Sequence, residues 1–226
     1  MQIEFFAKIK AGLSEPRLNT YGQDNAEEII ILSRYLLNAA LSEALYPLLQ
    51  SIEVCLRNEI DRAVSEKYGS DWITTPADFL DRREKQQIGK AKAALRKDRK
   101  PDTRDYLIAE LSFGFWTSLL DRRYERALWQ TLLKDTFQEM PKAERTRKSL
   151  CARFNQIRKL RNRVFHHGRI IHWKDLPEQH RDIIEAIGWI SPEIRKLTEK
   201  LDTFEAAYRA GLNPWMNKIR THWPKA

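Results

Sequence analysis

A chain of 226 residues with only 8 glycines and 9 prolines is poor in the residues that reverse a backbone sharply. Each hairpin of a sheet protein needs such residues, so a many-stranded β fold is disfavoured and long helices are favoured. The apolar fraction of 42% is enough to fill a real core, which argues against a disordered chain. The expected fold class is all-α, with about six to eight helices and no substantial sheet.

The apolar spacing places these helices. Residues 24–50 read as one helix, capped by Asp24 or Asn25 and bent or ended by Pro47. Residues 51–68 form the next, stopped by Gly69, and 71–76 a loop. A charged helix is expected over 77–99, and two helices over 102–133 divided near Gly114. Pro141 opens a long helix through about Phe165, with Gly168 as its left-handed exit. Helices over 177–188 and 191–208 complete the core, the last started by Ser191-Pro192-Glu193. Organisation follows as an N-terminal arm (1–22), one helical domain (23–210) and a C-terminal extension (211–226).

Lys and Arg total 40 against 31 Asp and Glu, a net charge of +9. Such a balance favours a polyanionic partner, because phosphate contacts release counterions; the plain alternative is a positive, solvated surface. The only cysteines, Cys55 and Cys151, lie in apolar helical patterns and read as buried thiols. Residues 1–10 carry Glu4, Lys8 and Lys10 in place of the apolar core of a signal peptide. No run approaches the length that spans a bilayer, so a cytoplasmic protein is expected.

The stretch 150–169 carries chemistry. On a helical wheel Phe154, Ile157, Leu160, Val164 and Phe165 share one stripe with Leu150. Arg161 falls inside that stripe, near 20° from Leu150 at about 100° per residue. A guanidinium keeps its charge, so Arg161 must meet a carboxylate or line a cleft that an anion visits. Asn162 and His166 sit one turn apart on the neighbouring face, and His167 follows where the helix should end. Arg158, Lys159, Arg163 and Arg169 surround them with positive charge that could hold RNA. Glu53 and Arg57, four residues apart on an earlier helix, could pair with each other, or Glu53 could reach Arg161. Taken singly, a helix-end histidine is often a cap and a Glu/Arg pair often a surface pair.

Leu160-Arg161-Asn162-Arg163-Val164-Phe165-His166-His167 resembles the Arg-Asn-x-x-x-His signature of HEPN nucleases, and its double histidine is similar to the Abi-like (AbiD/AbiF-type) abortive-infection branch. Two further stretches match that branch: Glu53-Val54-Cys55-Leu56-Arg57-Asn58, like its early Glu-x-x-x-Arg helix, and Leu111-Ser112-Phe113-Gly114-Phe115-Trp116, like its Leu-Ser-Phe-Gly-x-Trp motif. The chain departs from the branch at Gly168-Arg169-Ile170, where Glu-Pro-Ile often follows the two histidines.

The resemblance implies a HEPN-type helical bundle with additional helices, metal-independent RNA cleavage without a cofactor, and a homodimer that joins two signature helices. It also implies a role in phage defence or as a toxin, sometimes restrained by an inhibitory antitoxin or regulatory partner. In that reading the 2′-OH attacks the adjacent phosphorus. His166 moves the proton, Arg161 stabilises the phosphoryl charge, and Asn162 orients the histidine or holds an oxygen. Glu53 and Arg57 position Arg161, and His167 binds substrate or caps the helix. The stretch holding Lys85, Lys90, Lys92, Arg96, Lys97, Arg99 and Lys100 could follow the RNA backbone or simply be solvated. The rival reading is an RNA-binding or protein-interaction module of the same fold without chemistry. A DNA-binding regulator has less support, since no helix-turn-helix pattern is found. Five histidines without a His-Glu-x-x-His spacing give no metal-hydrolase motif, and no glycine-rich phosphate loop is found.

Overall fold

The computed structural model describes residues 3–22 and 26–222. Among them there are twelve α-helices and no strand, so the protein is all-α. The proposed caps Asp24 and Asn25 lie outside the described residues.

The helices are α1 (Ile3–Leu13), α2 (Glu15–Asn19), α3 (Glu28–Tyr68), α4 (Arg82–Lys97), α5 (Arg104–Glu110), α6 (Phe113–Ser118), α7 (Glu125–Thr131), α8 (Arg147–Phe165), α9 (Leu176–Ile190), α10 (Pro192–Leu201), α11 (Phe204–Ala210) and α12 (Asn213–His222). A short 3-10 turn precedes α7 and a π turn follows it.

Several boundaries differ from expectation, each for a local reason. The two helices expected on either side of Pro47 are one helix of 41 residues. A mid-helix proline costs about 3 kcal/mol. Leu45, Leu48, Leu49 and Ile52 are fully buried around it, and at about 1.5–3 kcal/mol each their burial outweighs that cost. The charged helix starts at Arg82 rather than 77, after a turn that buries Leu80. Between α5 and α6 the break falls at Leu111 and Ser112, leaving Gly114 inside α6. The helix expected from Pro141 starts at Arg147, because Thr146 caps it: Thr146 Oγ1 accepts the Ser149 N–H at 3.1 Å. Ser191 does cap α10, and the break before α11 falls at Asp202, whose Oδ1 accepts the Phe204 N–H at 3.0 Å.

The chain forms two compact units. The first comprises residues 1–47, 161–180 and 201–226. Phe6 from α1, Leu18 from α2, Leu32 from α3 and Ile219 from α12 form one of its buried clusters, so the first and last helices both contribute to its core. The second comprises 48–160 and 181–200. Trp72, Phe115 and Trp116 pack ring against ring there, with Trp116 and Phe115 centroids 5.1 Å apart. Its α4 buries Ile88, Ala91, Leu95 and the carboxylate of Glu84. That carboxylate accepts hydrogen bonds from Ser118 (2.9 Å), Arg123 (2.7 Å) and Tyr124 (2.6 Å), which offset the cost of enclosing a charge.

α3 also contains a window of mean hydropathy 1.2, long and apolar enough by length and composition to cross a membrane, against the expectation that no run would be. Core helices of soluble proteins pass the same test, and here Leu32, Leu41, Ala44 and Leu45 are buried inside the protein.

Candidate active site

The site is built on the way out of α8. Val164 is buried on the apolar stripe, which turns the following residues outward as the helix ends. The His167 N–H bonds to the Val164 carbonyl at 2.9 Å, and the Gly168 N–H reaches back to the Arg163 carbonyl at 2.7 Å. This crossed pair is the Schellman helix ending, in which the residue after the cap is left-handed. That residue is His167, at φ +55°, and not Gly168 as expected. A side chain in that conformation is strained by roughly 1 kcal/mol or more, and such strain gathers at working sites.

Side chains from distant segments of the same unit hold this turn. Asn38, buried in α3, accepts the Ile170 N–H at 2.7 Å and the Ile171 N–H at 3.3 Å through Oδ1. Its Nδ2 donates to the Gly168 carbonyl at 3.2 Å. Arg17 of α2 donates to the His167 carbonyl, Arg169 to the Thr20 carbonyl, and Arg163 Nε to the Arg169 carbonyl at 3.3 Å. Backbone acceptors thus fix three guanidiniums around the turn without using up their charge.

The result is an open hollow of about 290 Å³. Arg17, Arg163 and Arg169 line it together with His166, His167 and His172, and no Asp or Glu is among its described lining. Tyr21 closes one side; burial pushes its hydroxyl pKa up, so it stays a neutral donor. Burial, then Arg169 and Arg163, push the His172 pKa below its ordinary value, so this imidazole stays neutral to lower pH than a free one. Fixed positive charge, neutral imidazole and backbone-anchored arginines suit a phosphodiester anion.

The structure places the expected residues as follows. His166 and His167 are exposed at the hollow, with Arg163 and Arg169 beside them. Asn162 is exposed one turn before His166, and its carbonyl accepts the His166 N–H at 3.0 Å. Arg161, half-buried in the stripe, is not among the residues lining this hollow; its guanidinium lies over the Phe165 ring at 4.2 Å. In the second unit, Glu53 and Arg57 are half-buried one turn apart on α3, and Arg57 Nε is enclosed without a hydrogen-bond partner. Arg158 there donates to Asn155 Oδ1 at 2.7 Å, and Lys159 is exposed. Phe113, Phe115 and Trp116 of the aromatic motif are core residues, while a Cβ at Gly114 would meet Arg158 only at ordinary contact distance, 4.0 Å.

Sequence reasoning missed Arg17, Asn38 and His172. An amide interrupting the apolar run of α3 was the available signal for Asn38, and a third histidine shortly after His166-His167 for His172; nothing local marks Arg17. Comparison with protein-family models, curated proteins and solved structures finds no match.

Proposed function

We propose that the protein is a metal-independent endoribonuclease of the Abi-like HEPN kind, which cleaves RNA by 2′-OH attack and serves in phage defence or as a toxin. One observation carries the reading: three anchored arginines and three histidines share one hollow at the end of the helix that holds Arg161-Asn162 and leads into His166. Arg17, Arg163 and Arg169 would bind the scissile phosphate and neutralise the charge that grows on it. His172, kept neutral, would take the 2′-OH proton as oxygen attacks phosphorus. His166 would protonate the departing 5′-oxygen, leaving a 2′,3′-cyclic phosphate and a 5′-hydroxyl. Two imidazoles in one chain could serve both steps; a homodimer would set a second His166 at the same task. The site calls for no cofactor.

The test is incubation with cellular RNA in the presence of a chelator, beside the His166→Ala variant, with fragment ends mapped. Cleavage by the parent alone, with cyclic phosphate ends, is the expected result. Equal cleavage by the variant, or cutting of a strand with 2′-deoxyribose at the scissile position, would rule the mechanism out.

A second reading is favoured by the placement of Arg161 over Phe165 and outside the lining of the histidine hollow. A module of this fold that binds RNA without cutting it has no need for Arg161 to converge with the histidines. It would bind with a steep salt dependence and release no fragments.

A further inference from the structure

Beyond the cationic hollow lies an aromatic one of about 490 Å³, within the range of small-ligand sites (about 300–1,000 Å³). Its walls include Tyr46, Pro47, Val164 and Phe165, with Ser42 and Glu43 as polar groups and His167 as a wall common to both hollows. We propose that this hollow takes one unpaired guanine base of an RNA strand whose phosphate lies among Arg17, Arg163 and Arg169. The inference rests on the ribonuclease reading and names the substrate feature that site would select.

Three observations support it. First, Phe165 and Tyr46 are stacked, with centroids 5.5 Å apart and planes 26° from parallel, and the Arg161 guanidinium lies over Phe165. Tyr46 is nonetheless 49% exposed. A ring already fixed in a stack loses little freedom when a base settles on it, and base–aromatic stacking is how unpaired strands are held. Arg161 then acts by holding the platform.

Second, His167 borders both hollows, so a base on one side and its phosphate on the other belong to one continuous surface. His167 stands at that junction with a left-handed backbone, φ +55°. Third, the polar groups of the aromatic hollow other than His167 are acceptors. The Ser42 hydroxyl proton is committed to the Asn38 carbonyl at 2.8 Å, leaving its lone pairs. The Glu43 carboxylate only accepts. Guanine presents adjacent N1–H and N2–H donors, which a carboxylate meets with two parallel bonds; uracil, cytosine and adenine offer no such adjacent pair. A second copy of the chain is a poorer occupant, because interface cores are depleted of charge and this hollow holds Glu43 and adjoins a wall of arginines.

The test uses the full chain and short fluorescent 2′-O-methyl RNA strands, which cannot be cleaved by 2′-OH attack, with affinity read by anisotropy. A strand with one guanine among uracils should bind at least about five-fold tighter than an all-uracil strand. Tyr46→Ala should weaken binding of the guanine strand by about five-fold or more, while Tyr46→Phe keeps it. Glu43→Gln should remove the preference between strands. Equal affinity for the two strands, or no loss in Tyr46→Ala, would overturn the proposal. So would conversion of a dimer to a monomer by Tyr46→Ala in sedimentation, which would show that a second copy covers the patch. Binding in the expected pattern by a chain that cuts no RNA would sink the ribonuclease reading and leave the base subsite standing. Cleavage with unaltered Tyr46→Ala binding would do the reverse.

Discussion

Asn38 and Ile170 stand 132 residues apart in the chain and are joined by a 2.7 Å hydrogen bond, the Asn38 side-chain oxygen accepting the Ile170 N–H. Both residues are buried, so water cannot replace either partner. The same amide donates to Gly168, and one side chain therefore sets the course of the backbone leaving the two histidines.

Asn38→Ala should accordingly be costly. It strands the buried Ile170 N–H, and an unsatisfied buried group costs about 1–3 kcal/mol. Urea denaturation should show that loss. Asn38→Asp keeps the acceptor but loses the donor to Gly168, and should recover part of the stability.

His167→Gly separates backbone strain from side-chain function. Glycine adopts φ +55° freely, so the variant should be more stable by up to about 1 kcal/mol in denaturant titration. RNA binding should fall, because the wall shared by the two hollows is removed. A variant that loses stability would mean that the imidazole contributes more to folding than its backbone costs.

At Gly168 the prediction concerns a neighbour. A Cβ there would lie 3.0 Å from Arg163 Cγ and closer still to its Cδ and Nε. Arg163 is exposed and can swing away, so Gly168→Ala should hardly change the denaturation midpoint. It should weaken RNA binding about as much as Arg163→Ala does, which titration of both variants would show.

The pH profile should carry the mark of His172. As a base it must be neutral, and its pKa lies below the ordinary 6.5. The rate therefore rises with pH through a midpoint on the acid side of 6.5 and is lost as pH falls through it. kcat/KM reports the free enzyme and is the quantity to measure. His172→Gln should abolish that acid limb, whereas a limb unchanged in the variant would assign it to another group.

Arg17→Ala should flatten the salt dependence of RNA binding. One phosphate contact on a single strand contributes a slope of about 0.7 in log affinity against log salt. Binding isotherms at several salt concentrations, for parent and variant, measure the difference.

The sequence made some of this legible. The all-α class follows from the scarcity of turn residues, and most of the apolar stripe of α8 appears as spaced, with Leu150, Phe154, Ile157, Leu160 and Val164 buried and Phe165 half-buried. The stripe, together with the glycine after it, marked where the two histidines would emerge. The rest was written in tertiary contacts. Arg17 reaches His167 across 150 residues, and no local pattern anticipates such a contact. Pro47 reads locally as a break, yet buried leucines on both sides carry the helix through it. Gly168 was the natural residue for the left-handed turn, but hydrogen bonding assigns that conformation one residue earlier.

Because Arg17 and Thr20 face the turn after α8, the amino-terminal segment is part of the cationic hollow. A shortened product begun beyond Thr20 would keep every residue of the Arg161-to-His166 signature and lack a flank of the pocket beside it. A search for the signature alone would count that product as intact, and an activity measured on it would say little about the chain of 226 residues.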